Sequence, residues 1–468
     1  MRILHCLFLL FIIVSCSKEA VVIVENTSDA PELVLRHTVP VGRATSLFIQ
    51  DTLSVSDNLS FTVEASQPVF LFLQDVQKPK NSTVFPVRRG ETYHLAYDGA
   101  VFSFIGTGQD VQRLYNAIPR YSHPQLEAQT YARDSDPTRV QAQLDSVRAK
   151  QMAPFDSLRA AGGIPADLYE LIAADRECNF KSVMAEVGVL QHADAANREF
   201  WDSSFKNFNP DSDRLLSAFS YFDMMGEYAV GKLMEREEEI MPQVEAGQVN
   251  TLMVNECKKV LTGKRLESIY AALWLQAAFQ KRYEKELIPL YEEFKQTYPH
   301  SPYLAVMKGY YDEIVAFHAP KELSEDFHFL EDTESLLTLD ALLSRFAGRK
   351  LYVDVWATWC GPCKEEFAHE EALHELLEEK GFEMLYLSVD QDKDDAKWRQ
   401  MVGYYKLRGH HVRAGEALQQ DLVKAYGAGG SMAIPWNLIV DPAGRIVQLH
   451  APRPSDSEAL SAALDTIR

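Results

Sequence analysis

Tyr352-Val353-Asp354-Val355-Trp356-Ala357-Thr358-Trp359-Cys360-Gly361-Pro362-Cys363-Lys364-Glu365-Glu366-Phe367 decides the fold of the C-terminal third of the chain. Its β-branched and aromatic first half has the composition of a buried strand, and the chain then turns into a helix that starts near Cys360. Cys360 therefore stands at a strand-to-helix junction, where unpaired backbone N–H groups and the positive end of the helix dipole favour a thiolate over a thiol. The spacing puts Cys363 one helical turn on, close enough to resolve a mixed disulfide formed at Cys360. Pro362 is tolerated in the first turn because its missing N–H had no helical partner. Cys360 is thus expected to attack and Cys363 to resolve. Such a pair also suits half of a zinc site, but no second ligand pair lies near, so the expectation is no metal and no cofactor beyond a redox-active Cys360–Cys363 disulfide.

The run from Val353 to Cys363 resembles the thioredoxin signature, and Lys364-Glu365-Glu366-Phe367 resembles the Cys-Lys-x-Glu-Phe segment of the TlpA/ResA-like branch, which is exported and membrane-tethered. The resemblance spans residues 325–468. It implies that Asp354 is the buried acid that exchanges a proton with the resolving cysteine, its burial raising its pKa toward working pH. It also implies that Glu366, one turn beyond Cys363, shapes the cysteine environment. Ile434-Pro435 stands in the place of the family's cis-proline, which pairs with the substrate strand, so substrate contacts are expected at Trp359, Gly361, Pro362, Ile434 and Pro435. Ala451-Pro452-Arg453-Pro454-Ser455 looks like a recurrent tail in Bacteroidetes members. Two residues depart from the pattern. Ala368 replaces a proline that bends the active-site helix, which puts the kink in doubt, and Tyr386 replaces a lysine that pairs with the buried acid. His369, His374, His410 and His411 read as surface residues rather than metal ligands.

Around this core the pattern alternates. Arg349 to Ala357 and Glu383 to Val389 read as strands, Cys360 to Lys380 and Lys393 to Tyr405 as helices, Trp436 to Asp441 and Arg445 to Leu449 as a hairpin, and Ser455 to Ile467 as a final helix. That order predicts an α/β sheet with helices on both faces.

Upstream, residues 109–320 carry apolar residues at helical spacing in Val140 to Leu158, Arg214 to Arg236 and Arg265 to Tyr298, with breakers at Asn209-Pro210 and Tyr298 to Pro302. They predict a middle α-helical bundle. Residues 16–108 hold short alternating runs, Val21 to Val24, Glu32 to Arg36, Thr45 to Ile49, Leu59 to Val63, Val69 to Leu73 and Thr92 to Tyr97, which predict a small antiparallel β domain. That domain resembles the β modules preceding thioredoxin domains in exported Bacteroidetes lipoproteins.

Arg2, the apolar run Ile3 to Val14 and Ile13-Val14-Ser15-Cys16 read as a signal peptide over residues 1–15, too short to span a bilayer, which takes roughly 20 residues. The tetrapeptide resembles a lipobox with Cys16 as the lipid attachment site. Cys178 and Cys257 are expected to be two buried thiols or one structural bridge. A net charge of −20 without a basic stripe excludes a nucleic-acid partner.

These features predict an envelope thiol-disulfide oxidoreductase that reduces protein disulfides, with an upstream electron donor and a lipid-anchored membrane partner. A disulfide oxidase or isomerase and a lipid-anchored scaffold with a silent redox fold are the alternatives. A peroxidase is disfavoured, because an adjacent resolving Cys363 suits exchange.

Overall fold

A computed structural model of the chain describes residues 19–28, 33–38, 51–55, 58–64, 67–78, 80–119, 124–190, 200, 203–206, 208–319, 326–331, 333–427 and 431–467. The signal peptide, Cys16 and the strand expected at Thr45 to Ile49 lie outside them. The chain divides into two compact units, residues 1–276 with 289–308, and residues 277–288 with 309–468.

The first unit begins with β1 (Glu19–Asn26), β2 (Leu33–Thr38), β3 (Asp51–Val55), β4 (Asn58–Glu64), β5 (Val69–Asp75), β6 (Ser82–Val87), β7 (Thr92–Tyr97) and β8 (Phe102–Phe104). They form two four-stranded sheets, ordered β4-β1-β7-β8 and β3-β2-β5-β6. The expectation of a purely antiparallel domain is corrected at one pair, since β1 runs parallel to β7. The long stretch between Asn26 and Thr92 gives room for the crossover that a parallel pair requires. Alternate residues of β1, Ala20, Val22 and Val24, point into a core with Leu71, Leu73, Phe85 and Leu95.

Helices follow as α1 (Asp110–Asn116), α2 (Pro124–Ala128), α3 (Pro137–Ala160), α4 (Ala166–Leu190), α5 (Tyr221–Met234), α6 (Glu237–Glu245), α7 (Val249–Lys258), α8 (Gly263–Phe279), α9 (Leu287–Thr297) and α10 (Leu304–His318). Phe70 and Val84, on the opposite face of β5 and β6 from Leu71 and Phe85, form a second cluster with Val111, Tyr115, Phe155 and Leu168 of the first helices. Fully buried Asp175 on α4 accepts from Tyr115 Oη at 2.8 Å and the Ser220 backbone N–H at 2.9 Å, and pairs with buried Arg176. Cys178 and Cys257 are separate, buried free thiols. The continuous helix expected from Arg265 to Tyr298 is broken between α8 and α9, where Lys281 (φ 49°) and Tyr283 (φ 55°) turn left-handed.

The second unit holds β9 (Phe327–Phe329), α11 (Leu339–Ser344), β10 (Lys350–Trp356), α12 (Gly361–Glu366), α13 (Glu370–Lys380), β11 (Phe382–Ser388), α14 (Asp395–Tyr405), β12 (Gly409–Arg413), α15 (Glu416–Tyr426), β13 (Trp436–Val440), β14 (Ile446–Gln448) and α16 (Ser457–Leu464). Its six-stranded sheet has the order β14-β13-β10-β11-β12-β9, with the motif strand β10 inside it. Leu351, Val353 and Val355 point to one face, against Leu342 of α11 and Leu418 and Leu422 of α15. Tyr352, Asp354 and Trp356 point to the other, as the alternation of a strand dictates. The active-site helix does bend: Phe367–His369 forms a 3-10 turn between α12 and α13, without a proline. Residues 277–288 and 309–318 join this unit through the Tyr283 hydroxyl, 2.6 Å from that of Tyr405, and through Phe317, which stacks on Tyr283 and accepts from Gln400 at its carbonyl.

At the start of β12, Gly409 has φ +129°, and a Cβ there would lie 2.7 Å from the Met384 carbonyl oxygen of β11. Gly409→Ala is therefore expected to destabilise the second unit by about 2 kcal/mol or more, read as a lowered denaturation midpoint by near-ultraviolet circular dichroism.

Candidate active site

Cys360 and Cys363 form a disulfide with a Cα–Cα distance of 5.4 Å. Cys360 is the N-cap of α12, and its sulfur accepts the Cys363 backbone N–H at 3.2 Å. An orphan helical N–H aimed at this sulfur favours its anionic form once the disulfide opens, so the junction inferred from sequence has the expected polarity. Cys363 is fully buried and Cys360 nearly so, whereas Trp359 beside them is 53% exposed. Only the Cys360 end of the pair reaches the surface.

The turn ahead of Cys360 is held from two sides. Thr358 donates its backbone N–H (2.9 Å) and hydroxyl (2.8 Å) to buried Asp390, which also accepts from Ser388 Oγ. From the other side Lys364 Nζ donates to the carbonyls of Thr358 (2.9 Å), Gln280 (3.0 Å) and Lys281 (2.9 Å). These three acceptors use all three donors of an ammonium group. Burial, then the charges of Lys397 and Arg282, pushes the Lys364 pKa down to about 7. Sequence reasoning missed both anchors: Asp390 acts from another strand end, and Lys364 reads as part of a solvated charge run.

Asp354 is buried on β10, level with Tyr386 on β11 and Asn437 on β13. Asn437 Nδ2 donates to its Oδ1 at 3.0 Å. Burial, and next the negative charge of Glu370, raises the Asp354 carboxyl to about 8, against the pull of Asn437 and Arg453. Tyr386 occupies the register position beside Asp354 and supplies no positive charge. Its hydroxyl donates to Glu370 Oε2, and His374 Nε2 lies 3.2 Å from the same oxygen.

Glu366 is buried, yet its carboxylate turns to the C-terminal stretch, accepting from the Ser455 backbone N–H (2.9 Å) and hydroxyl (3.0 Å). Ile434-Pro435 is a cis peptide bond, and Pro435 directly precedes β13, whose first residue Trp436 pairs with Val355. The expectation of four surface histidines is corrected at His411, which is fully buried, stacks on Tyr386 and is bonded to the Leu407 carbonyl. It lies on the covered face of β12, a strand too polar in sequence to be recognised. Burial pushes its pKa down to about 3.

An N-capping cysteine, a resolving cysteine one turn later, a buried acid behind them and a cis-proline before the neighbouring strand define a thioredoxin-type domain. Residues 330–464 match the Redoxin family model, and this C-terminal part of the chain is similar to thiol-disulfide oxidoreductases of the ResA type. Thiol-disulfide oxidoreductase ResA of Bacillus thuringiensis subsp. konkukian is 29% identical over 108 residues, 23% of this chain and 57% of that protein. The ResA protein of Bacillus subtilis strain 168 is 23% identical over 109 residues, 23% of this chain and 55% of that one. The chain thus spans a little over half the length of these curated relatives. The thioredoxin domain of a thiol-disulfide oxidoreductase from Bacteroides vulgatus matches 26% of this chain and 82% of its own at 23% identity, with a TM-score of 0.23.

The raised carboxyl has a consequence for stability. Native Asp354 keeps its proton up to about pH 8, whereas in the unfolded chain it releases it near about 3.9. Between these values the native state binds more protons, so this residue's contribution falls as pH rises. Asp354→Asn is expected to be more stable than the parent by about 5 kcal/mol at pH 8, with little gain at pH 4, as measured by urea unfolding of the oxidised protein.

Proposed function

We propose that the protein is an envelope thiol-disulfide oxidoreductase that reduces protein disulfides. The observation that carries this is the Cys360 sulfur, capped by the α12 N-terminus and bonded to a buried Cys363, at a surface marked by exposed Trp359. The reduced Cys360 thiolate attacks a substrate disulfide and releases one substrate thiolate, leaving a mixed disulfide. Cys363, deprotonated with Asp354 as base, attacks Cys360, releases the second substrate thiolate and closes the disulfide, and a dithiol donor then restores the pair. Trp359, Gly361 and Pro362 form the substrate side of the turn, and the backbone at Ile434-Pro435 pairs with the substrate strand. Glu366 holds the C-terminal stretch against the end of α12 and so keeps that helix in place behind the cysteines.

Export and a lipid anchor at Cys16 belong to the same proposal, with residues 16–108, 109–320 and 325–468 as its β, helical and redox domains. Among the described residues no helix is long and apolar enough to cross a membrane. A lipid on Cys16 is the tether, and the upstream domains select or position the substrate. The Gly-Pro dipeptide between the cysteines is that of reducing thioredoxins, which favours reduction over oxidation.

Insulin reduction by the full chain is expected to be abolished in Cys360→Ser, and undiminished activity would overturn the assignment. Cys363→Ala is expected to accumulate substrates as mixed disulfides on Cys360, identifiable by mass spectrometry after non-reducing capture. A reduction potential near about −120 mV would reassign the direction to oxidation.

A further inference from the structure

Asp354 must give up and regain a proton in every cycle under the function proposed above, yet its side chain is sealed from solvent. The groups that face it are Tyr352 on its own strand, Tyr386 on β11, Asn437 on β13, Glu366 on α12, Glu370 on α13 and Arg453 from the C-terminal stretch. An amide is not an acid-base group, a guanidinium is a donor only, and burial keeps both tyrosines as phenols. Two carboxylates remain as carriers. Glu366 has both oxygens committed to Ser455.

Glu370 differs. It lines a cavity of about 800 Å³ beneath the bend between α12 and α13, together with Phe367, His374, Tyr405, Lys406 and Arg408. Both contacts of its carboxylate, from the Tyr386 hydroxyl and from His374 Nε2, converge on Oε2. Tyr386, the immediate neighbour of Asp354 in the sheet, thus reaches Glu370 directly, and Glu370 reaches the cavity.

We propose that Glu370 is the proton gate of this redox centre, passing protons between the cavity and Asp354, with Tyr386 and His374 as the residues that position its carboxyl group. When a dithiol donor reduces the disulfide, its thiolate bonds to Cys360 Sγ and the electron pair of the S–S bond leaves on Cys363 Sγ. Cys363 takes the proton of Asp354, Asp354 takes one from Glu370, and Glu370 takes one from a buffer acid in the cavity. The donor's second thiolate then attacks the donor sulfur of the mixed disulfide, forming the donor's own disulfide and expelling Cys360 Sγ as a thiolate. The reverse sequence carries the proton outward when a substrate disulfide is reduced.

The test follows reduction of the full chain by dithiothreitol through tryptophan fluorescence, in single turnover from about pH 6 to pH 9. Glu370→Ala is expected to slow the reaction roughly tenfold and to regain rate linearly with added imidazole or formate, small acids that fit the vacated space. Glu370→Gln, which keeps the shape, is expected to show the same loss with little rescue. A wild-type rate and pH profile in both variants would overturn the proposal. So would a loss in Glu370→Ala that buffer acids leave unchanged, since a purely structural or electrostatic role gives that result. Asp354→Asn separates the two levels: if it too retains the wild-type rate, the acid-base role of Asp354 fails, and if it alone is slow, only the gate at Glu370 fails.

Discussion

A carboxyl group buried in an inner strand, with two further carboxylates close by, is the constraint around which the redox unit is arranged. Water solvates an ionised aspartate far better than a sheet interior does, so Asp354 is held as a neutral acid over much of the physiological range. The sheet tolerates it because Asn437 supplies a bond from one side, while Tyr386 and Glu370 build a polar layer on the other. A lysine at position 386 would draw the proton off. A tyrosine leaves it in place.

The sulfur pair answers to the opposite demand. Cys360 caps a helix and meets its unpaired N–H groups, which stabilise negative charge, while Cys363 is enclosed one turn deeper. Two sulfurs three residues apart thus sit in different electrostatic surroundings, one favouring the anion and one the thiol. The anchors at Asp390 and Lys364 fix the turn between them, so its geometry does not depend on the two cysteines alone.

How much of this was legible in the sequence follows from the range of each interaction. The strand, the turn and the helix cap are local, and the run from Tyr352 to Phe367 shows all three. Asp354 was recognisable because a lone acid interrupts an apolar strand. Glu370 and His374 were not, because their partner Tyr386 lies a helix and a turn away and meets them only once α13 packs on β11. The strand Ser82–Val87 was hidden by Pro86, and Gly409–Arg413 by its histidines, since burial there comes from the sheet rather than from the residues' own polarity. The helical stretch from Arg265 read as unbroken because its apolar period continues through Lys281 and Tyr283. The left-handed turn they make suits neither residue intrinsically, and contacts far along the chain impose it.

Those contacts also bear on where one functional module ends. The recognisable sequence begins near residue 330, but the ammonium of Lys364, next to the resolving cysteine, rests on carbonyls of residues 280 and 281. A fragment starting at residue 325 would retain the whole match while stripping two of three acceptors from a buried cation and the Tyr283 hydroxyl from its bond with Tyr405. Exchange of upstream regions between relatives, by recombination or by engineering, would therefore have to bring residues 277–288 along with the redox fold. The heritable unit of this active site is discontinuous in the chain.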